Sequence, residues 1–241
     1  MFTVALIGPD GAGKTTIARM LENDQRLRSK YLYMGINIES SNVSLPTSRF
    51  IQRMKNAQSA RRPGTPTGQK SSASRRLRSS ARSLLRLCNR VAEEIYRQAL
   101  ASRYRRKGFI VVYDRHFKFD FEAPSHIMGR LSWSERIHRL WLAKLYPSPD
   151  LVIFLDAPAE LLYARKHEAS VAWLEERRTS ILRQGNALRN FIRVDATNPI
   201  ERVYSDVYSH IERYRLARQS GRPVSTDEPH SGTNARYTKV S

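Results

Sequence analysis

The 241-residue chain has one cysteine, Cys88, beside 11 glycines and 11 prolines. A single thiol excludes an internal disulfide and a cysteine-clustered zinc site. Long apolar runs are missing too. Phe2 to Ile7 is short, and Leu151 to Ala164 is interrupted by Asp156 and Glu160, whereas a bilayer span needs roughly 20 apolar residues. The first residues carry neither the positive segment nor the small-residue cleavage site of a secretory leader, so a cytoplasmic protein with no membrane span is expected. Acid is scarce: 22 Asp plus Glu stand against 42 Lys plus Arg, a formal charge of +20. That surplus attracts nucleotides, nucleic acid or anionic surfaces. The length suffices for one sizeable α/β domain with a real core and makes two full domains a squeeze.

What is there begins with FTVALIGPDGAGKTT, Phe2 to Thr16. The apolar, β-branched run to Ile7 suits a strand buried on both faces of a parallel sheet. Gly8 breaks it, and Gly8 to Thr15 spells Gly-x-x-x-x-Gly-Lys-Thr, followed by the helical spacing of TIARMLEND. Gly8, Gly11 and Gly13 let successive N–H groups curl around a phosphate, and the helix after Gly13 aims its dipole at the same anion. In this pattern Gly8, Asp10, Gly11, Ala12, Gly13, Lys14, Thr15 and Thr16 hold the nucleotide. Lys14 reaches the β- and γ-phosphates, and the Thr15 hydroxyl ligates Mg²⁺.

Further strands are expected at Lys30–Gly35, at FIVVYD (Phe109–Asp114), at LVIFLD (Leu151–Asp156) and at FIRVDA (Phe191–Ala196). Helical patterns fall between them. One spans Ser83 to Lys107, with Leu84, Leu87, Val91, Ile95 and Leu100 along one side and Cys88 as a small apolar residue of the packed helix. Others run over Ser134–Leu145, Ala159–Lys166 after Pro158, Ser170–Gln184, and Asn198–Arg218 with Pro199 near its first turn. Strands alternating with helices imply a three-layer α/β/α sandwich of the P-loop NTPase type, with a five-stranded, mainly parallel sheet. Ligands bind such sheets at the C-terminal strand ends, which brings the glycine loop, Asp114, Arg115 and Asp156 to one rim. Asp114 and Asp156 could equally cap the helices that follow them. His116 reads as a loop or packing residue.

Arg49 to Arg82 holds eight arginines and two lysines without an acid, half of the net charge. Its middle, ARRPGTPTGQKSSAS, lacks large apolar residues and is expected to be mobile. This basic insertion, 49–82, is either a solvated segment or a flap that attracts nucleic acid or another polyanion. One P-loop domain over 1–217 is expected, with a disordered tail over 218–241.

In this order, GPDGAGKTT, VVYDRH, PDLVIFLDAPAELLYAR and VDATNPIERV resemble the thymidylate kinases and thymidylate-kinase-like P-loop kinases. The resemblance covers nearly all of the chain except Met34 to Arg82 and the tail. It implies an ATP- and Mg²⁺-dependent nucleotide kinase that phosphorylates a nucleoside monophosphate, dTMP first among the acceptors. It also implies the roles. Asp10 faces the acceptor sugar, Arg115 grips the acceptor phosphate, and Asp114 lies near the magnesium or the nucleophile. Arg90, in SLLRLCNRV, contacts the acceptor as well. A short lid at 165–170 supplies the transition-state cation, Arg165 or in its place Lys166, as in the bacterial type whose loop lacks an arginine. The family's Arg-Glu-Pro-Gly-Gly-Thr-like loop after the second strand is replaced here by YMGINIESSN, a departure on the acceptor side. A kinase of another acceptor, a sugar or a polynucleotide end, therefore stands beside the nucleotide kinase. So does an NTP-binding protein whose basic arm holds nucleic acid or an anionic surface. A homodimer is left open.

Overall fold

Every residue of strand β1 (Thr3–Ile7) is buried, as its unbroken apolar run requires. The computed structural model describes residues 1–35, 72–120 and 132–221. Among these, β1 is followed by α1 (Lys14–Asn23), β2 (Ser29–Tyr33), α2 (Ser72–Arg106), β3 (Ile110–Asp114) and the short α3 (Phe117–Asp120). Then come α4 (Trp133–Lys144), β4 (Leu151–Asp156), α5 (Ala159–Lys166), α6 (Val171–Gly185), β5 (Phe191–Asp195) and α7 (Ile200–Gln219). The sheet order is β2-β3-β1-β4-β5 and all four pairings are parallel. Leu6 lies opposite Asp114 on β3, and Ile7 opposite Phe154 on β4.

The two faces of β1 feed two cores, because side chains alternate along a strand. Val4 and Leu6 join Ile17, Leu21, Leu162, Val203 and Val207 from α1, α5 and α7. Ala5 and Ile7 join Ala101, Leu142 and Ile181 from α2, α4 and α6. Helix α6 touches both cores, with Leu174 in the first and Ile181 in the second. Each large aliphatic side chain buried here contributes about 1.5–3 kcal/mol. Three layers result, and the sheet is wholly parallel.

Helix α2 differs from its sequence pattern in two ways. It begins at Ser72 rather than Ser83, so the end of the segment expected to be mobile is helical; positions 36–71 and the tail from 222 lie outside the described residues. Its apolar stripe is also only partly covered: Leu84 and Ile95 are each 50% exposed and Cys88 is exposed, Leu87 and Val91 are half-buried, and Leu100 packs against the second core, while Glu93, Glu94, Arg97 and Ala101 are buried. Periodicity finds a stripe on a helix but not how much of it a neighbour covers. The polar side can turn inward because each buried charge finds a partner. Arg97 Nε donates to Glu93 Oε1 at 3.0 Å. Glu94 accepts from Trp141 Nε1 at 3.0 Å and lies 2.6 Å from His138 Nε2 on α4.

His116 is a packing residue, fully buried among Tyr113, Phe119 and Tyr146, and neither ring nitrogen has a hydrogen-bond partner among the described residues. Burial, and secondarily the charge of Lys118, push its pKa down from 6.5 to about 3. Between those values the unfolded chain takes up a proton that the native chain refuses. The contribution of this residue is therefore complete above pH 6.5 and lost as pH falls toward 3. Lowering the pH from 7.5 to 5.5 is expected to cost about 1.4 kcal/mol through His116 alone. Urea melts of wild type and His116→Phe at both pH values measure it. The variant should show a correspondingly smaller loss, and equal losses would show that His116 does not carry the effect.

Candidate functional site

The chain leaves β1 at its C-terminal end and turns through glycines into α1. At Gly11, φ is +89°, and a Cβ there would stand 2.8 Å from the Leu162 carbonyl oxygen of α5. At Gly8, with φ +153°, it would stand 2.7 Å from the Leu155 oxygen of β4. Only glycine meets both conditions. Gly13, at φ +86°, is the N-cap of α1 and has no side chain with which to cap that helix start. The first N–H groups of α1 are therefore left by their own N-cap for the loop or an anion to meet. Lys14 is buried at the same turn, its Nζ donating to the Pro9 carbonyl at 2.7 Å.

Asp114, at the end of the neighbouring strand β3, reaches this turn. The Thr15 hydroxyl donates to its Oδ2 at 2.5 Å, and the Tyr31 hydroxyl donates to the same oxygen at 3.3 Å. Burial first, and then the charge of Asp114, raise the Tyr31 pKa, so the phenol remains a donor. The other oxygen, Asp114 Oδ1, is buried with no hydrogen-bond partner among the described residues. An unmatched buried carboxylate oxygen is costly, and a hydrated cation beside Thr15 would satisfy it. Among the described residues no group of three or more His, Cys, Asp or Glu is placed to hold a metal alone. The pair fits Mg²⁺, which keeps several waters and takes one or two protein oxygens.

The next residue, Arg115, is a non-glycine with φ +69°. Its backbone N–H donates to Leu6 O at 3.0 Å, and its guanidinium forms an ion pair with Asp10 of the glycine loop. A left-handed arginine stores strain that the surrounding structure must hold in place. Burial acts to raise the Asp10 pKa, but the charges of Lys14, Arg115 and Lys166 outweigh it and hold the carboxyl below its ordinary value. Asp10 is therefore a carboxylate at neutral pH.

Arg165, at the end of α5, lines a cleft of about 470 Å³ together with Gly11, Ala12, Gly13 and the turn from Ala196 to Ile200. Its Nη1 donates to the Ala196 carbonyl at 2.9 Å. Lys166 pairs with Glu168 at 2.8 Å. Of these two residues, Arg165 is the one that borders the cleft beside the turn into α1.

Two expected residues have other neighbours. Asp156 takes no place among the loop residues and serves as an anchor rather than a cap: Arg178 Nε of α6 donates to Oδ1 at 2.5 Å, and Arg193 Nε of β5 donates to Oδ2 at 2.6 Å. It fastens α6 to the sheet edge. Arg90 lies within electrostatic reach of Glu94 and Glu135, in the packing of α2 against α4, and burial lowers its pKa against their pull.

Arg97 belongs to no motif legible in the sequence. It is the largest fully buried side chain among the described residues, and its Nη1 donates to the carbonyls of Tyr33 at 3.2 Å and Gly35 at 2.9 Å while its guanidinium stands over Phe117. It holds the end of β2 beside Arg115, whose Cδ would lie 2.7 Å from a Cβ at Gly35. The one hint in the sequence is the Glu93–Arg97 spacing of four within an apolar helix pattern.

Asp156→Asn should lower stability by about 1–3 kcal/mol, less than for a fully buried pair because Arg193 can rehydrate. ATP affinity should remain within about twofold of wild type if Asp156 is only a fastener. Thermal melts and nucleotide titration read the two quantities separately. No model of a known protein family matches the chain, and no curated protein matches it.

Proposed function

We propose that this chain is an ATP-dependent phosphotransferase of the thymidylate-kinase-like type, moving the γ-phosphoryl group of ATP to a nucleoside monophosphate, with dTMP first among the acceptors. The observation that carries this reading is the meeting of Thr15 and Asp114, whose side-chain oxygens lie 2.5 Å apart at the mouth of the glycine loop, with Asp114 Oδ1 unmatched among the described residues. Side chains 99 positions apart converge on one spot that suits a hydrated cation.

In this reading Gly8 to Thr16 is a P-loop whose N–H groups cradle the ATP phosphates, with Lys14 at their β–γ end. Thr15 and Asp114 would hold Mg²⁺, which would supply positive charge to offset that of the transferring phosphoryl group. The cleft under Arg165 takes the nucleoside portion of the donor; its volume falls in the range of small-molecule sites. Arg115 binds the acceptor phosphate through two guanidinium nitrogens, a geometry lysine cannot reproduce. Asp10 holds that guanidinium beside the loop and faces the acceptor sugar. Arg90 supports the acceptor from α2. Arg165, or Lys166 in its place, stabilises the charge that spreads over the equatorial oxygens as the phosphoryl group moves.

The test is ADP release on a panel of nucleoside monophosphates, extended to sugars and polynucleotide ends because YMGINIESSN departs from the family pattern after β2. Acceptor-stimulated turnover is expected with at least one nucleoside monophosphate. Lys14→Ala should cut turnover at least about 100-fold with a near-native melting curve. Arg115→Ala should raise the acceptor KM by about tenfold or more and leave the ATP KM nearly unchanged. Full turnover in Lys14→Ala would overturn the donor site. Turnover with sugars alone would replace the acceptor class.

A further inference from the structure

A second cavity, of about 510 Å³, shares no lining residue with the cleft at the glycine loop. Val152 and Asn190, at the starts of β4 and β5, border it, whereas the loop follows the C-terminal end of the parallel strand β1. Phe119, Leu142 and Val152 give it an apolar floor. Lys118, Arg139 and Arg189 stand in its wall, and no carboxylate is among the described residues that line it.

This pairing of chemistries is selective. An apolar floor alone would take any greasy molecule, and cations alone any anion; together they reward a ligand that carries both. Lys118 is held in place by donating from Nζ to Ser148 Oγ at 2.8 Å. Its partial burial lowers its pKa, which marks the cost of keeping that ammonium away from water. An anion at the cavity would recover that cost through a charge-assisted hydrogen bond.

We propose that this cavity is a binding site for an amphipathic anion, a medium-chain carboxylate or an equivalent group with one charged head and an apolar tail, separate from the phosphotransfer site. The head is met by Lys118, Arg139 and Arg189, and the tail lies on Phe119, Leu142 and Val152. The proposal does not depend on the kinase reading, because none of these residues belongs to the loop or its partners.

The experiment is a calorimetric titration of the whole chain with decanoate, with acetate as the head alone and decanol as the tail alone. Saturable binding of one decanoate per chain is expected, with acetate at least about tenfold weaker because it lacks the buried tail and decanol at least about tenfold weaker because it lacks the charged head. The double variant Lys118→Met, Arg189→Met removes charge from half-buried or exposed positions and should weaken decanoate at least about tenfold. Ala143→Trp fills the cavity mouth from an exposed position of α4 and should do the same. Thermal melts establish that both variants are folded. Addition of MgATP should leave the decanoate isotherm unchanged. Equal binding by the variants, equal binding of decanol, displacement by MgATP, or absence of a saturable isotherm would each overturn the proposal.

Discussion

The parallel pairing of β1 with β3 on one side and β4 on the other is the constraint on which the remaining structure depends. A strand buried on both faces has no solvent to satisfy its backbone, so both ladders must form. The chain departs from β1 toward β2 and β3 on one side, and later toward β4 and β5 on the other. The end of β1 is therefore where the connections part, the position at which open parallel sheets leave a crevice. The glycine loop stands in that crevice because β1 is central. Asp114 and Asp156 flank it because β3 and β4 are the neighbours of β1.

Those two carboxylates occupy equivalent places and differ in their partners. Both end strands of the same sheet, and both are nearly without solvent exposure. Asp114 is met by hydroxyls, from Thr15 and Tyr31, and its other oxygen has no partner among the described residues. Asp156 is met by the guanidinium groups of Arg178 and Arg193. Hydroxyl donors hold Asp114, whereas two guanidinium groups hold Asp156. Burial is the same; the partners differ.

Charge also organises the second helical layer. Glu93, Glu94 and Arg97 turn the inner face of α2 into a set of ion pairs and hydrogen bonds that reach β2 and α4. Such buried networks add little net stability over apolar packing, but they demand one arrangement. Through Arg97 that arrangement fixes the carbonyls at the end of β2, next to Arg115. The strained backbone of Arg115 is held from both sides, by this contact region and by its ion pair with Asp10.

The alternation of buried strands with helices was legible in the amino-acid sequence, and so was the rim it creates. Leu151–Asp156 and Ala159–Lys166 have the expected bounds, since an apolar run ending in Asp-x-Pro leaves little choice of boundary. The convergence of the glycine loop with Asp114 and Arg115 also followed from topology rules alone. What only the tertiary structure decided was orientation and partnership. Which residues of α2 are covered stayed open until His138, Trp141 and the carbonyls of Tyr33 and Gly35 were placed against its charged side, and the partners of Asp156 lie 22 and 37 positions away on other elements. Local sequence encodes which residues share a face, because backbone geometry sets the period. Which face is buried, and which charge meets which, depends on the packing of elements distant in the chain.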